Sequence, residues 1–384
     1  MPSDQTIRAS YVSINSKGVI MNKVLSALLV AISTLAVPAS AAELKLGNWN
    51  VQTLLYAGDP VTVFPGDYIR QPQDYADLKV WRDKAGASVF FLQEVSSPAA
   101  INEVFPISDG WAHCISGQFA ADEGLATPGP ICTKAGDTPV KPAGAERHQY
   151  TAVAWRADAG VTATAADLPQ LNVKSDDGGT IRDVRWGLDV TVTAGTTSVR
   201  ALVVHMKSGC FDDLINFRLF TVDPSTTPPT SNACDTLGRQ MFPLRAWVEA
   251  RQNAGDPWMV VGDFNRRLDA GAGRFQDEVW QAVSGYSPAA DLHDRDNRPD
   301  IALFRAPYKE PSLCWADTSN PYPGSLPAAD DYNMLPIEFF VFGDKVRQLA
   351  VANSDGQVPW TPSTPADHER LSDHCPSTLS VRLP

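Results

Sequence analysis

Five short segments contain the polar residues best suited to chemistry. They are NWNV, LQEV, VHMKS, VGDFN and LSDHCP, at residues 48–51, 92–95, 204–208, 261–265 and 371–376. Each segment alone is weak, because strand ends and turns often contain such residues. Together they supply carboxylates, amides and two imidazoles. Phosphodiester cleavage needs a cation for the non-bridging oxygens, a base for water and an acid for the leaving oxygen. Carboxylates could hold the cation and the two imidazoles could act as base and acid, so the set is compatible with metal-dependent hydrolysis of a phosphodiester.

The residue types also indicate which ion such a site would hold. Mg²⁺ takes hard oxygen ligands and usually one or two carboxylates. Glu94 comes at the end of the predicted strand 88–92, after Gln93, and is the expected main ligand, while Asn50 can add a neutral amide oxygen. We expect Mg²⁺, with Mn²⁺ and Ca²⁺ as alternatives. A turn-capping role is the alternative for Asn50.

The elements that must position these segments alternate irregularly between strands and helices. Helical spacing predicts helices over Pro72–Ala85 and Leu237–Gln252, with Pro243 at a start or a kink. Irregular structure is expected in three segments, at residues 57–70, 117–147 and 210–236. Apolar runs predict strands at residues 44–51, 88–92, 150–155, 184–192, 199–204, 258–261, 337–342 and 378–381.

In order, spacing and strand context, the five segments resemble the endonuclease/exonuclease/phosphatase superfamily. That superfamily includes pancreatic deoxyribonuclease, abasic-site endonucleases, the nuclease subunit of cytolethal distending toxins, neutral sphingomyelinases and inositol polyphosphate phosphatases. The resemblance extends from about Leu44 to Val381. It implies an α/β fold, a four-layer sandwich in which two mixed β-sheets pack face to face with helices outside. The site would lie where the loops of the two sheets meet.

The resemblance also implies roles for individual side chains. In the family pattern His374 is the base or stabilises the attacked phosphate, and Asp373 lies toward the metal or water, which makes it a candidate ligand. His205 would approach the phosphate from the opposite side as a proton donor. Asp263 and Asn265 would orient the water and the phosphate, with a role in a tight turn as the alternative.

Two positions depart from the family pattern. Abasic-site endonucleases have an acidic residue two positions after the asparagine that matches Asn50, and this chain has Gln52 there. Gln52 and the presence of His205 argue against abasic-site specificity. The family usually has Asp at the head of the late apolar strand, where this chain has Glu338. Glu338 would have to orient His374 with one extra methylene group.

The amino-terminal region predicts export. A short basic start from Met21 precedes the apolar segment 24–37, and a small-x-small pattern follows it. Residues 1–41 are therefore expected to be upstream residues and a signal peptide, with Met21 as an alternative start. With no repeat or linker in the remaining sequence, residues 42–384 are expected to form one domain. The expected location is periplasmic or extracellular.

The cysteines support the same compartment. All six lie after the predicted signal peptide, and an even number in an oxidising environment favours disulfide bonds. Pairs that are neighbours in the chain are the simplest choice, and free buried thiols are the alternative. The expected pairs are Cys114–Cys132, Cys210–Cys234 and Cys314–Cys375.

The charge of the chain bears on the substrate. A net charge of −12 is unfavourable for binding nucleic acid through bulk electrostatics. Lys207, Arg266 and Arg267 lie close to the motifs and could form a local basic lip. Arg147 and His148 are further candidates for contact with phosphate. A local basic site with a divalent cation could therefore still hold a polyanion.

Four functions compete on this basis. Hydrolysis of DNA or RNA by a monomer is the leading hypothesis, with no stable membrane association. A sphingomyelinase-like lipid phosphodiesterase would need an apolar docking hairpin, and only residues 56–69 suggest one. A small-molecule phosphatase is the third. A non-catalytic binding module on the same fold is the fourth, favoured only by Gln52 and Glu338.

Overall fold

The computed structural model describes most of the chain after the predicted signal peptide. Residues 1–41 lie outside the described part. The described residues are 42–63, 68–126, 128–211, 213–216, 219, 223–226, 228–268, 279, 301, 303–306, 336–360 and 370–383.

Strands dominate the described residues, and short helices connect them. The strands are β1 (Ala42–Leu54), β2 (Val89–Val95), β3 (Trp111–Ile115), β4 (Ile131–Thr133), β5 (Tyr150–Arg156), β6 (Val161–Leu168), β7 (Ser175–Asp177), β8 (Thr180–Arg182), β9 (Gly187–Ala194), β10 (Thr197–His205), β11 (Trp258–Asp263), β12 (Phe304–Ala306), β13 (Glu338–Phe342), β14 (Gly356–Gln357) and β15 (Ser377–Leu383). The α-helices are α1 (Pro72–Ala85), α2 (Pro98–Val104), α3 (Gly117–Asp122), α4 (Ala233–Ala254) and α5 (Asp344–Leu349). None of these helices combines the length and the apolar composition needed to cross a bilayer.

The strands form two large mixed sheets and one small hairpin. The first sheet has the order β14-β15-β1-β2-β5-β3-β4, and the second has the order β12-β13-β11-β10-β9-β6. Strands β7 and β8 form a separate hairpin, and Ser175 of β7 also makes an isolated bridge to Thr230. In the first sheet β1 runs parallel to β2, and in the second β10 runs parallel to β11. The carboxyl ends within each parallel pair therefore lie side by side.

A central apolar layer joins the two sheets face to face. Its members include Leu46 and Phe91 from the first sheet and Val203, Val261 and Phe340 from the second, all almost fully buried. Burial of apolar surface stabilises this arrangement by roughly 25 cal/mol for each Å² removed from water.

Two outer layers cover the opposite faces of the sheets. Trp49 and Phe90 of the first sheet pack in one cluster with Trp81 of α1. Val260 of the second sheet packs in another cluster with Leu244 of α4. The order of layers is therefore helix, sheet, sheet, helix, which confirms the predicted four-layer α/β sandwich.

The two-residue period of a strand explains how this core positions polar groups. Successive side chains of a strand point to opposite faces. Asn50, His205 and Asp263 each lie two or four residues beyond a side chain of the central apolar layer in the same strand. Glu338 precedes Phe340 of that layer by two residues. These four polar residues therefore continue the inward-facing rows past the apolar core, to one end of the space between the sheets.

The predicted elements agree with the structure where the sequence pattern is strong. Helix α1 has the predicted bounds, and all eight predicted strands are present, although β9 begins at Gly187 instead of Val184. Pro243 lies inside α4, which begins before the predicted Leu237. Helix α3 and strand β4 lie within a segment predicted to be irregular. Such short elements depend on their tertiary neighbours, so sequence periodicity does not reveal them.

Two of the three predicted disulfide bonds are confirmed. Cys114–Cys132 joins directly paired residues of β3 and β4. Cys210–Cys234 joins the loop after β10 to the first turn of α4. Cys375 is also disulfide-bonded, but its predicted partner Cys314 lies outside the described residues.

His113 of β3 predicts a loss of stability in acid. Its side chain is fully buried, neither ring nitrogen has a hydrogen-bond partner among the described residues, and burial lowers its pKa to about 4. The unfolded chain therefore binds a proton more readily than the folded chain between about pH 6.5 and pH 4. We expect the free energy of unfolding to fall by about 3 kcal/mol across that window because of this residue.

Urea unfolding at a series of pH values checks this expectation. His113→Phe should make the dependence on pH shallower than in the wild type. An unchanged slope in His113→Phe would show that the residue does not titrate on unfolding in this range.

Candidate active site

A β-bulge turns Glu94 toward the space between the sheets. Strict alternation would point Glu94 the same way as Phe90 and Leu92, into the outer helix layer. Instead, the pairing of β2 with β5 shifts by one residue between Leu92 and Val95, and Glu94 has a φ of 60°. Non-glycine residues seldom adopt this left-handed conformation, which costs on the order of 1 kcal/mol. The conformation brings the carboxylate of Glu94 to Asn50 on the inner face.

The end of β1 is bulged in the same region. Gln52 and Thr53 have φ values of 45° and 51°, and the pairing of β1 with β2 shifts between Asn50 and Leu54. As a result, the backbone nitrogen of Thr53 donates to Glu94 Oε2 at 3.1 Å. The two bulges thus fix the position of the Glu94 carboxylate.

Arg70 fastens the bulged end of β1 to the segment that contains the last motif. Its buried guanidinium donates to the carbonyl oxygens of Val51 and Thr53 at 2.9 Å and of Gln52 at 2.8 Å. It also donates to the carbonyl oxygens of Arg370, at 3.0 Å, and Leu371. One side chain therefore satisfies five carbonyls in two segments that are far apart in the chain.

Replacement of Arg70 should destabilise the protein. Arg70→Met leaves buried carbonyl oxygens without donors, and we expect the free energy of unfolding in urea to fall by on the order of 3 kcal/mol. Arg156→Met is the matched control, because Arg156 forms an exposed ion pair with Asp158. It should cost under about 1 kcal/mol. Equal losses in the two variants would contradict the role given to Arg70.

Asn50 joins two carboxylates that come from different sheets. Its Nδ2 donates to Glu94 Oε1 at 2.9 Å and to Asp263 Oδ2 at 3.0 Å. Its Oδ1 accepts from the backbone nitrogen of Gln52 at 3.0 Å, and since that nitrogen can only donate, the orientation of the amide is determined. In this structure Asn50 therefore orients the carboxylates. Its predicted use of the amide oxygen as a metal ligand is not tested.

His205 lies beside the same pair of carboxylates. Its Nε2 is 3.7 Å from Glu94 Oε1 and 3.8 Å from Asp263 Oδ2. Ligand atoms of the three residues all lie within 4.8 Å of one another. Burial lowers the pKa of His205 well below its usual value, with further contributions from Arg185 and His374.

The electrostatics of this cluster fit a bound cation. Burial raises the pKa of Asp263 to about 7, and burial followed by the charge of Glu94 raises the pKa of Asp373 well above its usual value. Buried carboxylates that repel one another are stabilised in their charged form by a nearby metal ion. The side-chain oxygen Oδ1 of Asp373 is buried without a hydrogen-bond partner among the described residues. The donor set therefore fits a divalent cation.

The second imidazole of the site belongs to His374. Its Nδ1 is in direct contact with Glu338 Oε1, and its Nε2 lies 3.5 Å from Asp373 Oδ1. Glu338 is the cross-strand partner of Asp263, which brings this pair next to the carboxylate cluster. The extra methylene of Glu338 therefore does not prevent contact with His374.

Backbone contacts hold the segment that contains Asp373 and His374. Trp49 Nε1 donates to the carbonyl oxygen of His374 at 3.1 Å, and the hydroxyl of Ser372 donates to the carbonyl oxygen of Asn50 at 2.8 Å. The backbone nitrogen of Asp373 donates to Gln52 Oε1 at 3.0 Å. Gln52, where abasic-site endonucleases have an acid, thus fixes the backbone beside the second imidazole.

Asn265 joins the ends of β10 and β11. Its backbone nitrogen donates to Asp263 Oδ1 at 2.7 Å, and its Nδ2 donates to the carbonyl oxygen of Met206 at 3.0 Å. Gly262 allows the two strands to approach here, because a Cβ at this position would lie 2.0 Å from the carbonyl oxygen of Val204.

The structure thus brings all eight predicted site residues into one region.

Two site residues carry no signal in the sequence motifs. Gln149 Nε2 donates to Glu94 Oε2 and, at 3.1 Å, to Thr53 Oγ1. Arg185 is half-buried and donates to Gln149 Oε1. Gln149 immediately precedes the predicted strand 150–155, and Arg185 lies at the start of the predicted strand 184–192, just before the observed β9. That position was the available clue.

Two arginines predicted to contact phosphate hold loops instead. Arg266 is almost fully buried and donates to the carbonyl oxygens of Cys210 at 2.9 Å and Asp213 at 2.6 Å. Arg147 forms a buried ion pair with Asp59 at 2.8 Å. The predicted lip at Arg266 and phosphate contact at Arg147 are therefore wrong, because both guanidiniums are used inside the fold.

Comparison with known proteins places the chain in a recognised group. A sequence model described as "Endonuclease/Exonuclease/phosphatase family" matches residues 47–326. No curated protein matches the chain.

Three of the solved structures that are similar to this chain are described by sequence identity, share of each chain covered and TM-score. An endonuclease/exonuclease/phosphatase from Bacteroides vulgatus is 14% identical, with 89% of this chain and 100% of that chain covered and a TM-score of 0.48. D. rerio TDP2 complexed with single strand DNA product is 14% identical, with 89% and 100% covered and a TM-score of 0.46. The human Nocturnin catalytic domain with bound sulfate anion is 12% identical, with 88% and 93% covered and a TM-score of 0.43.

Proposed function

The chain belongs to the endonuclease/exonuclease/phosphatase family, and we propose that it is an exported, divalent-metal-dependent phosphodiesterase that hydrolyses DNA or RNA. One observation carries the proposal. A buried imidazole–carboxylate pair, His374 with Glu338, lies next to a cluster of carboxylates at the end of the space between the sheets. This arrangement combines a base with a site for a cation, which are two of the requirements for phosphodiester hydrolysis.

The cation would be held by the carboxylates of Glu94 and Asp263, with Asp373 nearby. When bound, it would neutralise charge on the phosphate oxygens and polarise the phosphorus centre toward attack. Asn50 holds the two main carboxylates in place through its amide nitrogen. Because the same amide nitrogen donates to the carboxylates of Glu94 and Asp263, the distance between these carboxylates stays constant before substrate binds.

His374 is the proposed base. Because Glu338 can only accept a hydrogen bond when ionised, the Nδ1 of His374 carries the proton and its Nε2 is free to take one from water. Burial lowers the pKa of His374, so the imidazole is in its neutral form near pH 7. Glu338 fixes the ring orientation, as the acidic member of a catalytic triad does.

Arg185 is the proposed contact for a phosphate oxygen. It is a half-buried cation, close enough to Glu94 and Asp263 for its charge to act on both. Arginine suits this purpose because its planar guanidinium can donate two parallel hydrogen bonds to a phosphate. It replaces the basic lip that the sequence predicts at Arg266.

The structure of the segment after β1 offers little support for the lipid alternative. Tyr56 packs under Lys141 at 4.7 Å, and Asp59 is buried in its ion pair with Arg147. These contacts hold the first part of residues 56–69 against the protein. This was the only segment of the sequence that suggested an apolar docking hairpin. A segment that is held against the protein and includes a buried ion pair is a poor membrane anchor.

The confirmed disulfide bonds support export. Cys114–Cys132 and Cys210–Cys234 are formed in the structure. Such bonds form and persist in the periplasm or outside the cell and are rare in a reducing cytosol.

A substrate panel tests the proposal. Purified protein is incubated with plasmid DNA, RNA, sphingomyelin or a chromogenic phosphodiester, each with divalent cation and with excess EDTA. Cleavage of DNA or RNA that EDTA abolishes is the expected result. Cleavage of sphingomyelin alone would favour the lipid alternative. No cleavage of any substrate with any divalent cation would support the binding-module alternative.

A further inference from the structure

We propose that Phe211 and Arg267 form a stacking platform for a nucleobase within a few nucleotides of the scissile phosphate, and that the site therefore selects single-stranded over duplex nucleic acid. The inference rests on the proposed function, because it specifies which form of nucleic acid that site accepts. It also assigns a role to Arg267, the second arginine of the basic lip that the sequence predicts.

Arg267 lies over the ring of an exposed phenylalanine. Its guanidinium carbon is 5.5 Å from the centroid of the Phe211 ring, within the range of a cation–π contact. Phe211 is 36% exposed, and Leu214 in the same loop is 71% exposed. Large apolar side chains are otherwise mostly buried in this fold. The loop thus presents to solvent a flat aromatic surface backed by a positive charge.

Hydrogen bonds and a disulfide bond hold this platform in place. The backbone nitrogen of Arg267 donates to the carbonyl oxygen of Phe211 at 2.9 Å. Arg266 donates to the carbonyl oxygens of Cys210, at 2.9 Å, and Asp213, at 2.6 Å, on either side of Phe211 in the chain. The disulfide bond of Cys210 ties the same loop to α4. A surface that is ordered in advance loses less conformational entropy when a ligand binds to it.

The platform is connected to the carboxylate cluster by a short path. Asn265 donates from its backbone nitrogen to Asp263 of the cluster, and Arg267 follows two residues later. Four residues span at most roughly 14 Å when fully extended, so the backbone of Arg267 lies within that distance of Asp263. At the roughly 3.4 Å rise per nucleotide of a stacked strand, this is at most about four nucleotides. One bound strand can therefore reach both the cluster and the platform.

A stacking platform favours single strands because a base in a duplex has no free face to offer. Bases in a duplex are paired and stacked on their neighbours, and taking one out of the stack has a free-energy cost. Bases of a single strand can stack on an aromatic side chain, and every base has a face suited to this. The net charge of −12 also limits attraction to phosphates alone. Strand state, not base identity, is therefore the property selected.

Binding to three fluorescent probes of equal length tests the inference. The probes are a single-stranded DNA oligonucleotide, the same oligonucleotide in a duplex, and a single strand with the sugar–phosphate backbone but without bases. Every protein is measured with divalent cation and in a His374→Ala background, so that the probes stay intact. This parent protein should bind the single strand with bases at least about 10-fold more tightly than either other probe.

Changes at Phe211 separate stacking from contact with phosphate. Phe211→Leu keeps an apolar side chain and removes the ring. It should lower affinity for the strand with bases by about 10-fold and leave affinity for the strand without bases unchanged, whereas Phe211→Trp should bind both as the parent does. Phe304→Leu is the matched control. Phe304 also lies under an arginine, Arg347, at 4.1 Å, but it pairs with the end of β13 opposite Glu338.

The contribution of the cation is measured in the same way. Arg267→Gln removes the charge behind the ring and should lower affinity for the strand with bases by about 3-fold or more. Arg347→Gln is its matched control and should bind all three probes as the parent does. Thermal melting checks that each variant is folded.

Three results would overturn the inference. The first is equal affinity of the parent for the strands with and without bases, a comparison that still decides the matter if Phe211→Leu does not fold. The second is a folded Phe211→Leu protein that binds the strand with bases as the parent does. The third is an equal loss on both single strands, which would show contact with phosphate alone.

These outcomes are separate from the test of the proposed function. A protein that cleaves nucleic acid while Phe211→Leu keeps its affinity for the single strand would refute only the platform. A protein that binds single strands through Phe211 but cleaves no substrate of the panel would refute only the proposed function.

Discussion

Glu94→Gln should reduce hydrolysis by about 10³-fold or more while the protein remains folded. The substitution keeps the size of the side chain and removes its negative charge. A cation contributes several kcal/mol of stabilisation to the transition state of phosphoryl chemistry, and each 1.36 kcal/mol corresponds to a tenfold change in rate. Loss of the main carboxylate of the cluster removes most of that contribution.

Initial rates on the best substrate of the panel, measured over a range of cation concentrations, check this prediction. Glu43→Gln is the matched control, because Glu43 is an exposed carboxylate at the opposite end of the same strand as Asn50. It should retain the wild-type rate. A Glu94→Gln protein that turns over at the wild-type rate, or a wild type that is fully active in excess EDTA, would eliminate the metal mechanism at this site.

His374→Ala should reduce turnover by roughly 10²–10⁴-fold, which is the usual contribution of one general base. Its imidazole is held by direct contact with Glu338 through Nδ1, which leaves Nε2, 3.5 Å from Asp373 Oδ1, as the nitrogen that would accept the proton. We expect the loss mainly in kcat, because the base acts on water in the transition state and contributes little to substrate binding. Steady-state kinetics measure both constants.

Changes at Glu338 separate a base from a merely structural histidine. Glu338→Gln removes the charge that orients His374 and should cost less than His374→Ala. Glu338→Asp restores the residue that the family usually has and should retain or raise activity. If His374→Ala keeps the wild-type kcat on every substrate, the base lies elsewhere. If both changes at Glu338 cost as much as His374→Ala, the carboxylate does more than orient the ring.

The sequence by itself determined those parts of the site that depend on local periodicity. The alternation of strands placed Asn50, His205, Asp263 and Glu338 on rows that continue the apolar core. This inference holds because side-chain direction in a regular strand depends only on position along the chain. The same kind of local signal predicted α1 from its spacing and its first-turn proline.

Tertiary structure decided the positions at which alternation fails. Glu94 would face the helix layer if β2 were regular, and the bulge against β5 reverses it. Arg70 joins the bulged end of β1 to Leu371, which is 301 residues away from Arg70 in the chain. A bulge depends on the register between strands, which the residues of one strand do not specify.

Tertiary structure also decided which polar side chains reach the site. Arg266 follows a motif directly, yet its guanidinium donates to the carbonyl oxygens of Cys210 and Asp213, at the start of the loop closed by Cys210–Cys234. Gln149 and Arg185 lie in no motif, yet the packing of the two sheets brings them to Glu94. The sequence shows which chemical groups are available, but contacts between distant segments depend on how the sheets pack. Only the folded chain therefore shows which arginine is buried and which lies beside the carboxylates.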